Sequence, residues 1–313
     1  MKNNSSVALL PKVAVVMATY NGEKFLRQQL DSVLQQTYRN IELIAVDDCS
    51  TDGTFKLLKQ YAARHKNIRV FRNETNIGYI KNFEKAIRLA TAEYIALCDQ
   101  DDIWLPDKIS ILMDYINNAS VVYCNSELID DKGNSLNKKM TDLKKLDSYD
   151  DCLSFLIGNG VFGHAQLMRK SLALEAMPFP EDCPHDWILP FIASFSGTVK
   201  FVDKPLVKYR QHAENISGLV KTADRKDVKK TKQEDLHWIR KRMSALAKVA
   251  SRYDSPVKNV IIELSESYDA FSFRNNLKRM LLFFKYRHSI TAFKKRNNFR
   301  KWLFCLKMFF KIA

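Results

Sequence analysis

Apolar positions along the first hundred residues alternate between two periods. Lys12–Ala18 is a β-branched apolar run cut off by Thr19, Tyr20, Asn21 and Gly22, the pattern of a buried strand ending in a turn. From Glu23 to Gln36 the apolar residues 26, 30, 33 and 34 fall at helical spacing. The alternation then repeats as strand Ile41–Val46, helix Phe55–Arg64, strand Ile68–Phe71, helix Lys81–Ala90 and strand Tyr94–Cys98. Strands alternating with helices of about 10–15 residues predict an α/β, Rossmann-like, mostly parallel sheet flanked by helices, because parallel neighbours need a crossover between them. Further on, the pattern predicts helix Lys108–Asn117, strand Ser120–Cys124 and an irregular polar excursion over Asp130–Lys145. Leu153–Met168 carries Gly158, Gly160 and Gly163, expected to bring backbone close to a ligand. A loop over Pro178–Pro184 precedes helix Ile188–Phe195, and Thr198–Tyr209 holds a strand with a proline-marked turn at 205. From about Val220 the chain reads as helical and charged, so residues 1–219 form one unit and 220–313 a C-terminal basic helical extension.

In parallel sheets ligands sit beyond the carboxyl ends of the strands. Three such ends carry polar clusters here: Thr19-Tyr20-Asn21, Asp47-Asp48 and Asp99-Gln100-Asp101-Asp102. Carboxylates crowded at a strand end repel one another and lose hydration. A hard divalent cation that also chelates a diphosphate offsets both penalties, because Mg²⁺ and Mn²⁺ favour carboxylate oxygens. The plainer alternative is a solvated acidic turn that caps the next helix.

Composition sharpens this in three respects. An apolar share of 46% supports a sizeable core. The polar start, Met1 to Ser6, does not read as a signal peptide, and no run reaches the roughly 18 apolar residues of a membrane-spanning helix. Six scattered cysteines with no C-x-x-C pair suit reduced thiols in a cytoplasmic protein. The net charge of +15 is concentrated: residues 270–313 hold twelve Lys or Arg and no acidic residue, leaving 38 basic against 35 acidic residues elsewhere. Arg300, Lys307 and Lys311 form a helical stripe beside Trp302, Leu303, Phe304, Leu306, Phe309 and Phe310. A basic, aromatic-rich amphipathic segment suits the plane of an anionic membrane, reached here through residues 274–313. A helical cap on the body, a partner-binding helix and a nucleic-acid surface are the alternatives. The apolar face is larger than phosphate contact requires, which favours lipid and argues against nucleic acid.

Five motifs, in order, resemble glycosyltransferase family 2, the inverting nucleotide-sugar enzymes of GT-A fold. They are Val15 to Gly22, Val46 to Thr54, Cys98 to Trp104, His185-Asp186-Trp187 and Tyr209-Arg210-Gln211-His212, spanning residues 12 to 218. The third, fourth and fifth resemble the bacterial rhamnosyltransferase-like branch. One departure is Cys49, where the family usually has Gly, Ala or Asn. The resemblance implies that Ala18, Thr19, Tyr20 and Asn21 line the base pocket and that Asp48 accepts the pyrimidine N3–H. Gly78 and Asn82, with Asn76, fall where the family approaches the nucleotide, although a plain helix start fits them too. Asp99 would contact the ribose or the metal, Asp101 would ligate Mn²⁺ or Mg²⁺ bridging the phosphates, and His212 would be a further metal contact or a structural residue. Asp102 either supports the metal from behind or binds the sugar, and Arg210 either meets phosphate or covers the surface. Asp52 is read as a helix cap and Trp104 as core. Asp186 matches the catalytic base, although helix capping suits it as well.

The implied activity is sugar transfer, with rhamnose from dTDP-rhamnose as the first candidate, to a lipid-linked saccharide in O-antigen, capsule or cell-wall synthesis. The enzyme would sit peripherally on the inner face of the cell membrane. A UDP-hexose or UDP-N-acetylhexosamine transferase is the alternative within the family, and a non-catalytic membrane-bound scaffold the alternative outside it. No G-x-G-x-x-G follows the first strand, which disfavours a dehydrogenase. No glycine-rich basic loop stands there for a sugar nucleotidyltransferase either.

Overall fold

The computed structural model describes residues 10–212 and 232–310. β1 (Val13–Thr19), β2 (Ile41–Asp47), β3 (Ile68–Arg72) and β4 (Tyr94–Cys98) form a parallel group in the order β3-β2-β1-β4. α1 (Glu23–Leu34), α2 (Thr54–Arg64) and α3 (Tyr79–Leu89) are the crossovers. Val15, Leu43, Ile44 and Leu97 are fully buried. With both faces of the sheet covered, strands read as unbroken apolar runs instead of alternating ones.

Beyond β4 the pairing becomes mixed. The later strands are β5 (Ile103–Trp104), β6 (Val121–Ile129), β7 (Ser135–Lys139), β8 (Gln166–Arg169) and β9 (Val199–Arg210). β8 lies antiparallel between β4 and β6, β6 runs parallel to β9, and β5 closes the edge against β9. The helices of this half are α4 (Lys108–Ile116), α5 (Met140–Leu143), α6 (Lys170–Glu175) and α7 (His185–Ser196).

Three segments differ from their expectation. The polar stretch from Asp130 forms β7 and α5, not an irregular excursion. Asp130 accepts the backbone N–H groups of Lys132 (2.9 Å) and Asn134 (2.8 Å), and Gly133 sits at φ +92°. This tight turn returns the chain onto β6. Pro205 does not end its strand. It sits where the β6–β9 register slips between Cys124 and Ser126, and a bulge tolerates a residue without an N–H. Finally, α7 starts at His185, three residues earlier than its apolar run, with Pro184 as its N-cap.

The C-terminal helices are α8 (Lys232–Ala250), α9 (Lys258–Glu266), α10 (Phe273–Lys285), α11 (Arg287–Ile290) and α12 (Asn298–Phe310). The boundary expected at 219/220, Met1 to Ser6 and Lys311 lie outside the described residues. Not all the basic residues of this region face solvent. Arg279 is fully buried between α10 and α12 and donates to Met308 O (3.1 Å) and Asn276 Oδ1 (2.7 Å). Gly158, expected to approach a ligand, instead receives the ring of Phe293, which lies where a Cβ would stand. The extension is thereby keyed into the body. Phe273, Leu281, Phe299, Trp302 and Phe310 nevertheless remain exposed.

Candidate active site

The ends of β1, β2 and β4 converge as parallel geometry requires. Asp47 is fully buried and serves its own turn, accepting from Ser50 N (3.0 Å) and Ser50 Oγ (2.5 Å), with Arg72 at 3.4 Å. Thr19 is buried beneath it, its hydroxyl 3.3 Å from Asp47 Oδ1, so it shapes the wall of the crevice from behind. Asp48 accepts from Asn73 Nδ2 (2.7 Å), Ile77 N (2.9 Å) and Gly78 N (2.9 Å). Three of a carboxylate's roughly four acceptor positions are thereby filled. Asp48 ties the end of β2 to the loop before α3, and one acceptor position remains for a ligand. Asn82 is buried, donating to Val46 O at 2.8 Å and accepting from Asn73 at 3.0 Å. Asp52, expected to cap α2, is not its N-cap, which is Gly53; Asp52 stands one residue before it and accepts Thr54 N at 3.0 Å. Cys49 has φ +62°, a conformation that Gly or Asn adopts at little cost. That is the physical content of the departure noted at this position, and the Cys49 thiol turns toward Glu74 O at 3.4 Å.

Tyr20 is 46% exposed at the end of β1, an open aromatic face beside half-buried Ala18. Its backbone is clamped from the acidic cluster. Gln100 accepts Tyr20 N at 2.9 Å and donates to Tyr20 O at 3.0 Å. Gly22 makes room for this clamp, since a Cβ there would collide with Gln100 Oε1. Asn21, at φ +45°, accepts Thr51 N at 2.8 Å and joins the β1 and β2 turns.

The carboxylates of the cluster divide between two settings. Asp101 meets His212 Nε2 at 2.8 Å, both side chains being partly accessible. Asp102 is fully buried. Its Oδ1 accepts Arg210 N at 2.9 Å, and its Oδ2 has no hydrogen-bond partner. His164 Nδ1 lies 3.8 Å from Asp102 Oδ2 and 3.9 Å from Asp99 Oδ2, while its Nε2 meets Ser126 Oγ at 2.9 Å. Burial, then the charge of Lys108, lowers the His164 pKa to about 3, so the ring is neutral. Asp99 is pushed up to about 7, first by loss of hydration, then by Asp101 and Asp186.

These residues fit a divalent cation. Asp99, Asp102 and His164 offer one ligand atom each within 4.8 Å of one another, and the orphaned Asp102 oxygen is the kind of atom a cation satisfies. Asp101 and His212 offer a second carboxylate–imidazole pair beside it. Arg210, by contrast, does not cover the surface. It is 1% exposed and donates to Asp101 O (2.8 Å), Asp131 O (3.1 Å) and Gln28 Oε1 (2.6 Å).

Two further groups escaped the sequence reading. His164 is one. The other is Lys108, which is fully buried under the cluster and donates to His164 O at 2.5 Å, with Nζ 3.2 Å from the Trp104 ring centroid. Burial drops its pKa to about 8, against the pull of neighbouring thiols and of Asp102 and Asp99. A lysine opening the buried stripe Lys108, Ile109, Leu112, Ile116 was the available signal. Lys108→Met is expected to destabilise the fold by about 1–3 kcal/mol, since it leaves the buried His164 carbonyl without its donor. Urea unfolding of both proteins measures the difference.

Asp186 lies in the first turn of α7, where the helix dipole favours its ionised form. Burial works against this and raises its pKa to about 6, while the Gly163 backbone N–H lowers it. Asn159 Nδ2 (3.0 Å) and Gln166 Nε2 (2.9 Å) both donate to Asp186 O, and Trp187 Nε1 donates to Phe155 O at 2.5 Å. A Cβ at Gly163 would meet Asp186 Cβ at 3.3 Å, so this glycine does bring backbone up to a functional candidate. The charges of Asp186 and Asp99 both act on Tyr79, whose hydroxyl is pushed up to about 12, first by burial. Gly163 lies against Asp186 while the adjacent His164 faces Asp99 and Asp102, so the start of α7 neighbours the β4 cluster.

A family model described as Glycosyl transferase family 2 matches residues 14–175. An uncharacterized glycosyltransferase of Haemophilus influenzae is 26% identical over 298 residues, covering 88% of this chain and 91% of that protein. The dTDP-rhamnosyl transferase RfbG of Shigella flexneri is 31% identical over 218 residues, covering 64% and 73%. Among solved structures, S. aureus TarS 1-349 in complex with UDP-GlcNAc superposes with a TM-score of 0.59 at 16% identity, covering 89% of this chain and 81% of that one. Mannosyltransferase PcManGT from Pyrobaculum calidifontis, in complex with GDP-Man and Mn2+, gives 0.53 at 17%, covering 97% and 86%. The match runs through β1 to α6, the segment that carries the acidic strand ends. The chain thus belongs to glycosyltransferase family 2, on a GT-A fold with C-terminal helices added.

Proposed function

We propose that this chain transfers a sugar, with inversion at the anomeric carbon, from a nucleotide-sugar donor to a lipid-linked saccharide in bacterial surface-polysaccharide synthesis. The observation that supports this reading is a short link between the two regions: Gly163 lies against Asp186, and the adjacent His164 faces Asp99 and Asp102 of the β4 cluster. Asp186 takes the proton of the acceptor hydroxyl as that oxygen attacks the anomeric carbon, and the bond to the nucleoside diphosphate breaks on the opposite face. Asp48 and Tyr20 hold the base, with Ala18 and Asn21 beside them and Gly78 closing the loop. Asp99 and Asp101, with His212, are the first candidates to hold Mn²⁺ or Mg²⁺, and Asp102 and His164 stand directly behind. When bound, the cation neutralises charge gathering on the leaving diphosphate.

Rhamnose from dTDP-rhamnose is the first candidate sugar, supported by the likeness to RfbG. The UDP-GlcNAc of TarS supports a UDP-linked donor as the second. A panel of dTDP- and UDP-sugars, assayed for hydrolysis with and without Mn²⁺, tests the proposal. Metal-dependent turnover of one donor is expected. Folded protein inert toward every donor would favour the non-catalytic scaffold.

Residues 1–219 supply this chemistry, and 220–313 bring it to the inner face of the membrane. No helix among the described residues is long and apolar enough to cross a membrane. Exposed Phe299, Trp302 and Phe310 on basic α12 suit a peripheral contact. Changing these three to serine is expected to weaken binding to phosphatidylserine vesicles at least tenfold, since burying one such side chain contributes roughly 1.5–3 kcal/mol. Co-sedimentation measures it.

A further inference from the structure

A cavity of about 520 Å³ lies outside the donor crevice, between the loop that leads into α7 and the side of α8. Pro178, Phe179 and Pro180 of the loop and Val249 of α8 give it an apolar floor. Its rim is cationic. Arg240, Lys241 and Lys248 of α8 line it, joined by Arg252 from the turn just beyond the helix. Two carboxylates answer them. Asp182 pairs with Lys241 at 3.2 Å, and Asp269 stands opposite. Arg240 Nε donates to Tyr268 O at 2.6 Å. Lys248 and Arg252 have no ion pair among the described residues. The cavity therefore keeps two more cations than carboxylates above an apolar base.

Its position ties it to the chemistry. Asp182, in its wall, is followed four residues later by Asp186. Arg242 of the same helix stacks on the ring of Trp187, with its guanidinium carbon 4.4 Å from the centroid, so α8 is braced against the residue next to Asp186. A ligand held here would lie apart from the acidic strand ends, beside the loop that leads to Asp186. Cations without partners over an apolar floor match an anion carried on a hydrocarbon chain better than a free anion or a neutral lipid.

We propose that this cavity is an acceptor subsite that binds the diphosphate of a polyprenyl-diphosphate-linked saccharide. Lys248 and Arg252 grip the diphosphate, and the first prenyl unit lies on Pro178, Phe179 and Pro180. The assignment rests on the glycosyltransferase reading above and gives that enzyme's acceptor a chemical class.

The test is calorimetry on the full chain with farnesyl diphosphate, inorganic pyrophosphate and farnesol, each in EDTA so that no diphosphate binds through a cation. Farnesyl diphosphate is expected to bind at least tenfold tighter than either of the others. The double variant Lys248→Ala/Arg252→Ala is expected to weaken it at least tenfold further, with an unchanged melting temperature. Asp101→Asn, in the donor crevice, is expected to bind the probe like the wild type. Equal affinity in the double variant would overturn the subsite. Farnesol binding as tightly as its diphosphate would do so too, and pyrophosphate matching farnesyl diphosphate would reduce the cavity to a free-anion site and overturn the lipid-linked assignment. Titration with Mn²⁺ and nucleoside diphosphate reads the donor site separately, so failure of the enzyme reading shows there and not in these isotherms.

Discussion

Asp186→Asn is expected to lower sugar transfer by about 10³-fold while leaving donor affinity within about twofold of the wild type, because the amide keeps the shape but cannot accept a proton. The rival role for this residue is capping of α7, and stability separates the two. The folded-state pKa of Asp186 lies near 6, above the ordinary 3.8, with burial as the first cause. Stability contributed by the protonated form is therefore fully present below pH 3.8 and is lost as pH rises toward 6. At about pH 8 the ionised group is a net burden, and its replacement by asparagine should stabilise the protein by about 1–3 kcal/mol. A cap would behave oppositely, costing roughly 1 kcal/mol when weakened. Transfer by the wild type should fall about tenfold per pH unit below about 6, since only the ionised carboxylate accepts the proton, and level off above it. Single-turnover rates against pH, with thermal melts at about pH 8, measure both. Near-normal transfer by Asp186→Asn would remove this residue from the chemistry.

The strand ends were legible because two local signals coincide there. Unbroken apolar runs mark strands covered on both faces, and each run stops at a cluster too polar to bury without partners. Asp48 and Asp101 stand out by that reasoning, whereas Asp186, in the first turn of a helix, was reached only through the family resemblance. The groups that organise the site were not legible, because their partners are distant in sequence. Gln100 clamps Tyr20 across 80 positions, Lys108 reaches the His164 carbonyl across 56, and Arg210 joins Asp101, Asp131 and Gln28. A local pattern reports burial and turns, whereas these contacts exist only once β4, β8 and β9 have been brought side by side. The same limit hid the bulge at Pro205, which local chemistry reads as a turn. It also hid the match of Gly158 to Phe293, where the reason for a glycine lies 135 residues away.

Asp101→Asn is expected to reduce Mn²⁺-dependent binding of UDP or dTDP by roughly 100-fold, the scale on which metal sites weaken when their surroundings are altered. The reason for choosing Asp101 over its neighbour is what each carboxylate holds in the fold. Asp102 is fully buried and receives the Arg210 backbone N–H, so its removal acts on β9 and on folding as well as on any cation. Asp101 keeps partial access to the crevice and faces His212, so its carboxylate is available to a ligand at small structural cost. The Asp101→Asn variant should therefore melt within about 2 °C of the wild type, since its side chain is partly accessible and its loss leaves the fold's buried contacts intact. Calorimetric titration of nucleoside diphosphate with Mn²⁺, and again in EDTA, isolates the cation-dependent part. Wild-type affinity in Asp101→Asn, with loss in His164→Ala, would move the cation inward to Asp99, Asp102 and His164. The neutral imidazole of His164 and the orphaned oxygen of Asp102 already face one another there. Loss in Asp101→Asn alone would leave that inner pair as the floor on which the outer carboxylates are held apart, with Lys108 as the charge beneath them.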